Sequence, residues 1–103
     1  MTEALVVLTT VEALADGERL ARLLVERGLA TCVQVLPPMI SIYRWQGRVE
    51  RATESLLLVK TTRPRFADVE AAIKSHHPYE TPEIIALPVE AGSTEYLSWL
   101  AAG

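Results

Sequence analysis

Cysteine is almost missing. Cys32 stands alone in 103 residues, so the chain has no internal disulfide and no paired thiolates for a zinc ribbon or a Cys-x-x-Cys metal carrier. Such a lone thiol is read as a small buried hydrophobe. Any excess of positive charge is lacking too. Ten Lys and Arg against 13 Asp and Glu give a net charge of −3, with the two signs interleaved along the chain. That leaves no basic stripe for a phosphate backbone and excludes nucleic acid as an expected partner. No apolar run approaches the roughly 18 residues of a membrane span, and Met1-Thr2-Glu3 leads into a strand without a basic leader region. No membrane partner is expected, and the cytoplasm is the expected compartment. Linkers, repeats and low-complexity tracts are also lacking. Residues 1–103 are expected to form one domain, burying roughly 65% of the unfolded surface.

What is present is an alternation of short strands and helices. Ala4-Leu5-Val6-Val7-Leu8 is a β-branched, apolar run of strand length. From about Val11 or Asp16 to Arg27 the period changes: Leu20, Leu23 and Leu24 form one stripe, Glu18 precedes Arg22 by four, and Gly28 suits a C-cap. Thr31 to Leu36 reads as strand, Pro37-Pro38 interrupts it, and Met39 to Trp45 resumes, giving one long strand with a bulge or kink. Gln46-Gly47 is a two-residue hairpin signal, and Arg48 to Thr62 runs back. Pro64 fits a first helical turn before a stripe of Phe66, Val69, Ile73 and His76. Ile84 to Val89 is a last strand, and Thr94 to about Ala101 a short helix, with Trp99 expected to anchor it in core or interface.

The order is strand, helix, strand, strand, helix, strand. It predicts an α+β fold, a ferredoxin-like βαββαβ sandwich with a long kinked β-hairpin and an added C-terminal helix. A sheet with helices on one face should alternate, yet Leu5 to Leu8, Leu56 to Val59 and Ile84 to Leu87 are apolar at successive positions. Both faces therefore need cover, and so few helices supply too little. Other copies of the chain are expected to provide the rest, with Leu57 or Val59, or both, on a side that meets them.

The segments Tyr43-Arg44-Trp45-Gln46-Gly47-Arg48-Val49-Glu50, Leu58-Val59-Lys60-Thr61-Thr62, His76-His77-Pro78-Tyr79 with Pro82-Glu83-Ile84-Ile85, and Leu87-Pro88-Val89 to Tyr96-Leu97-Ser98-Trp99-Leu100 together resemble the CutA divalent-cation-tolerance family over almost the whole chain. The resemblance implies a homotrimer of ferredoxin-like protomers joined through long hairpins and sheet faces. It also implies a link to copper and other divalent cations, and no catalytic residues: no enzyme and no required cofactor. Some relatives with proposed copper ligation carry a cysteine just after the first strand, where this chain has Thr9.

His76 and His77 are the candidate metal ligands, since neutral imidazole suits Cu, Zn and Ni. Adjacent helical positions diverge by about 100°, so both rings reach one ion only if the helix has unwound at Pro78; Glu80, Glu83, a residue of a neighbouring subunit or a thiolate are candidates for further ligands. In the structural alternative, His76 continues the apolar stripe, and His77-Pro78 ends the helix with about 0.3–1 kcal/mol from the dipole. A second constellation comprises Tyr43, Trp45, Glu54, Lys60, Tyr79 and Glu83, polar-tipped or charged residues in or beside apolar strands. They form either an intersubunit polar network or a ligand cleft between subunits. Glu54 and Lys60 share a strand face but stand about 20 Å apart, so Glu54 needs another partner.

Rival functions fail on particular residues. Acylphosphatase chemistry positions water with asparagine, and the chain contains none. RNA-recognition domains stack bases on central-strand aromatics, where this chain offers Leu56-Leu57-Leu58-Val59. A trimeric small-molecule or nucleotide sensor of the PII type stands as the alternative, although the five glycines are scattered instead of forming a phosphate loop.

Overall fold

Residues 2–103 are described by a computed structural model. The elements run β1 (Ala4–Val11), α1 (Leu14–Glu26), β2 (Cys32–Val35), β3 (Met39–Trp45), β4 (Arg48–Thr62), a 3₁₀ turn (Arg63–Arg65), α2 (Phe66–His76), β5 (Ile85–Pro88) and α3 (Thr94–Ala102). The five-stranded sheet is antiparallel, with order β2-β4-β1-β5 and with β3 paired to the first half of β4. This is the expected ferredoxin-like arrangement with a C-terminal helix added.

Local chemistry explains the boundaries. Helix α1 ends in a Schellman motif: the Leu29 amide donates to Leu24 O, the Gly28 amide donates to Val25 O, and Gly28 takes a φ of 69° that a side chain would resist. The tip of the β3–β4 hairpin has Gln46 at φ 50° and Gly47 at φ 80°. This is the left-handed pair of a two-residue turn whose twist suits the flanking strands. At α3, Ser93 Oγ accepts from the Tyr96 amide and caps the helix.

One sheet face carries the core. Val7 and Val11 of β1 and Leu57 and Val59 of β4 meet Leu20 and Leu24 of α1 and Val69 and Ile73 of α2, all buried. Leu57 and Val59 therefore face this chain's own helices, contrary to the expectation that they meet other copies; the opposite face carries Leu56 and Leu58. Gly17 lets α1 lie directly on the sheet, since a Cβ there would stand 3.1–3.3 Å from side chains of Val11, Val35 and Leu57. On the opposite face, Val6 and Leu8 are half-buried, while Ile85 and Leu87 beside them remain 50% and 49% exposed. Helix α3 covers one end of this face. There Tyr96 lies over the Lys60 ammonium, 5.6 Å from ring centroid to Nζ. The Arg65 guanidinium and the Thr31 hydroxyl both donate to Leu100 O, pinning the helix. Leu100 is its buried anchor, and Trp99 stays half exposed, so Trp99 does not serve as core within this chain. Cys32 pairs across from Lys60 on this face and is only half-buried.

The kink between β2 and β3 is a one-residue change of register. Val35 lies opposite Leu57 and Met39 opposite Glu54, so four steps on one strand match three on the other. Past that point odd-numbered residues of β3 share a face with even-numbered residues of β4, which places Ser41 and Tyr43 beside Ala52 and Glu50. Among the described residues no helix covers the hairpin beyond the kink. The hairpin stretches the molecule to 44 × 26 × 24 Å and its radius of gyration to 14.2 Å, against about 13 Å for a compact chain of this length.

Candidate functional site

The end of α2 shapes the site. A residue before proline is driven to extended backbone, and His77, before Pro78, takes φ −87° and ψ 136° and stops the helix. Its ring turns inward, whereas the His76 ring, still helical, stays exposed. Beyond the last β1–β5 pair, Leu8 with Ile85, the carbonyl of Thr10 has no strand partner; His77 Nε2 lies 2.7 Å from it. The Tyr79 amide donates to His77 Nδ1 at 3.1 Å. An amide can only donate and a carbonyl can only accept, so the ring is neutral with its proton on Nε2. Both nitrogens are engaged.

This anchored ring packs against Tyr79 at a centroid distance of 4.6 Å, and the Tyr79 hydroxyl donates to Glu54 Oε2 at 2.7 Å. Burial first, then this hydrogen bond and the nearby charges of Glu54 and Glu12, push the Tyr79 phenol well above the ordinary tyrosine value. It therefore holds its proton and acts as a donor. Tyr79 is the partner that Glu54 required.

Tyr79 and Glu54 form the inner wall of an open cleft of about 580 Å³ between the hairpin arm and the loop that follows α2. The arm contributes Tyr43 and Trp45, and the loop contributes Glu80 and Glu83. Five of the six residues singled out from the sequence thus line one cleft. Lys60 does not: it lies at the far end of the same sheet face, under Tyr96. Glu12 also lines the cleft. Residue order does not single it out, because the apolar run ends at Leu8, whereas β1 runs to Val11 and carries Glu12 to the cleft's edge.

The two histidines do not converge. His76 Nδ1 lies 3.0 Å from the carbonyl of Ala72, and its Nε2 has no hydrogen-bond partner among the described residues. His76 also does not extend the buried stripe of Val69 and Ile73. Among the described residues no group of three or more His, Cys, Asp or Glu side chains is placed to hold a metal ion. A chelating metal site built within one protomer does not fit these residues. Thr9 lies inside β1 and is fully buried on the helix-facing side.

Comparison with known proteins agrees with this architecture. The family model described as CutA1 divalent ion tolerance protein matches residues 5–103. A divalent-cation tolerance protein CutA from Thermus thermophilus is 50% identical over 95 residues, covering 92% of each chain. The solved structure of the divalent cation tolerance protein from Thermus thermophilus superposes with a TM-score of 0.94 at 47% identity, over 96% of both chains. The structure of a protein described as the periplasmic divalent cation tolerance protein CutA from Archaeoglobus fulgidus gives 0.91 at 39% identity, over 94% of both. With the strand order, the hairpin arm and the residues of the cleft all placed, the chain belongs to the CutA1 divalent ion tolerance family.

Proposed function

We propose that this protein acts in divalent-cation tolerance as a homotrimer, without catalysing a reaction of its own. The observation that carries the reading is apolar surface that one chain leaves bare. Ile40, Ile42 and Val49 on the arm, Ile85 and Leu87 on the sheet and Trp99 on α3 are all about half exposed or more. Monomeric proteins rarely expose so much of their apolar side-chain complement in strips of this kind, and copies of the same chain are the simplest cover. Light scattering at micromolar protein is expected to give the trimer mass with no monomer, and the melting temperature is expected to rise with concentration.

Copper, or another imidazole-seeking ion such as zinc, is proposed to meet His76, whose Nε2 is free, before His77, whose nitrogens are both occupied. One imidazole alone binds weakly, in keeping with a tolerance role in place of a tightly held cofactor. Titration of Cu²⁺ tests this. His76→Ala is expected to remove the saturable component, and His77→Gln to leave it; equal binding by the His76 variant assigns the copper to other groups. The cytoplasm is the proposed compartment. No helix among the described residues is long and apolar enough to cross a membrane, but one relative is described as periplasmic, so fractionation of the native host decides the compartment.

A second reading, ligand sensing at the cleft, is favoured by the cavity itself. A volume of about 580 Å³ lies within the range of roughly 300–1,000 Å³ typical of small-molecule sites.

A further inference from the structure

We infer that the cleft binds a small organic cation, a guanidinium, amidinium or alkylammonium group on an apolar body, with Glu54 as its anchoring carboxylate. The inference rests on the ligand-binding reading of the cleft and gives the ligand its chemical class.

Glu54 carries the argument. It is only 8% exposed, yet it lines an open cavity. Its Oε2 accepts from the neutral Tyr79 hydroxyl, and no protein donor reaches Oε1 among the described residues. The ion pairs among those residues are Arg19 with Asp16 and Lys74 with Glu70, both on helix surfaces. Glu54 therefore has a hydrogen bond but no counter-charge. A buried carboxylate in that condition is destabilising until a cation joins it.

The remaining walls specify what kind of cation. Glu12, Glu80 and Glu83 add negative charge, and no Lys or Arg lines the cleft among the described residues. An anionic ligand is disfavoured on that ground. A bare metal ion is disfavoured because the carboxylates are spread around the cavity without three of them converging. Tyr43 and Trp45 present half-exposed aromatic rings from the arm. Aromatic faces attract a cation through the ring quadrupole and also cover apolar carbon. Spread charge, aromatic walls and a volume far larger than one ion suit a planar or alkyl cation with carbon attached.

The site is also held rigid. His77 is tied at both nitrogens, it packs on Tyr79, and Tyr79 orients Glu54. Preorganisation of this kind lowers the ordering cost of binding.

Benzamidinium, neutral benzamide and benzoate form a probe series of one shape and three charges. Calorimetric titration into the full-length protein, with its mass measured on the same sample, is expected to show saturable binding of benzamidinium and none of the other two. Glu54→Gln is expected to weaken benzamidinium about ten- to a hundredfold, the loss of a charge-assisted contact. Trp45→Ala, on the arm and outside the buried core, is expected to weaken it roughly three- to thirtyfold with native circular dichroism retained. Equal binding of benzamide overturns the cation assignment while the ligand-binding reading of the cleft stands. A thermal shift with ATP in place of benzamidinium likewise overturns the cation and leaves the cleft as a ligand site. A trimer that binds no probe, and whose Glu54→Gln variant melts lower, overturns both and assigns Glu54 to a contact between copies.

Discussion

Strand β4 passes through two environments. From Ser55 to Thr61 its odd-numbered side chains lie under α1 and α2 with no exposure at all, whereas Val49, near the hairpin tip, is 68% exposed and Ile42 across from Arg51 is 63% exposed. Both halves are regular and antiparallel. The difference is cover: the first pair of helices reaches one half and stops. A β-branched side chain on the arm is as much a strand former as one in the core, but it removes little apolar area from water within one chain. The arm's stability within a single protomer rests on its backbone ladder and its turn, and isolated two-stranded ribbons are marginal. One strand thus serves the fold at one end and leaves apolar side chains uncovered at the other.

Substitutions along β4 and β3 separate those roles. The largest effect is expected for Leu57→Asp, which places an unpaired charge among the side chains of α1 and α2. Its cost of more than about 5 kcal/mol matches or exceeds the total stability of many domains, and the expected result is loss of native circular dichroism. Ile42→Asp on the arm makes the contrast sharp. On the proposed trimer, it is expected to leave the chain's secondary structure in place and to remove the trimer mass from light scattering, at about 1.5–3 kcal/mol of lost burial per copy. If both variants unfold alike, folding and assembly are a single event and the two ends of β4 are not independent.

Between the two regions lies the Tyr79–Glu54 contact. Tyr79→Phe removes a hydrogen bond to a charged group, worth about 1.5–3 kcal/mol, and is expected to lower the melting temperature by several degrees. The same contact has a pH signature. The folded-state pKa of Tyr79 is raised above its unfolded value of 10.0, so above that pH the unfolded chain releases a proton that the folded chain retains. Stability is fully present below about pH 10 and falls as pH rises beyond it. Denaturant melts at pH 9 and above should show this slope in the wild type, and in Tyr79→Phe a shallower one.

The smallest effect is expected at His76, exposed on the last turn of α2 with one local contact. His76→Ala should change stability by less than about 0.5 kcal/mol. His77→Gln, next to it, should cost about 1–3 kcal/mol, because the Thr10 carbonyl loses its geometry-matched donor. Equal costs at the two positions would mean that the inward and outward rings are not distinguished.

Much of this molecule is readable from residue order. The hairpin turn follows from Gln46-Gly47, the long return strand from Arg48 to Thr62, and the helix stop from His77-Pro78, since each is set by backbone preferences of neighbouring residues. The need for a second cover follows from apolar residues at successive strand positions, because side chains alternate faces with period two. Three members of the cleft, Tyr43, Trp45 and Glu54, stood out as polar tips in strands for the same reason, and Tyr79 and Glu83 as polar groups beside a strand. What neighbouring residues could not determine depends on register and on contacts across the chain. The four-against-three offset around Pro37-Pro38 decides which face Tyr43 and Trp45 share with Glu54, and a kink announced by two prolines does not state its size. Which histidine turns inward is decided by an unpaired carbonyl at Thr10, 67 positions earlier in the chain. Lys60 shares a strand face with Glu54 but is drawn off by Tyr96 from a helix that begins more than thirty positions later. Local steric preferences act within a few residues and survive in the sequence. Pairing of distant groups exists only once β1, β4 and the loop after α2 have been brought together, and it was left to the tertiary structure to decide.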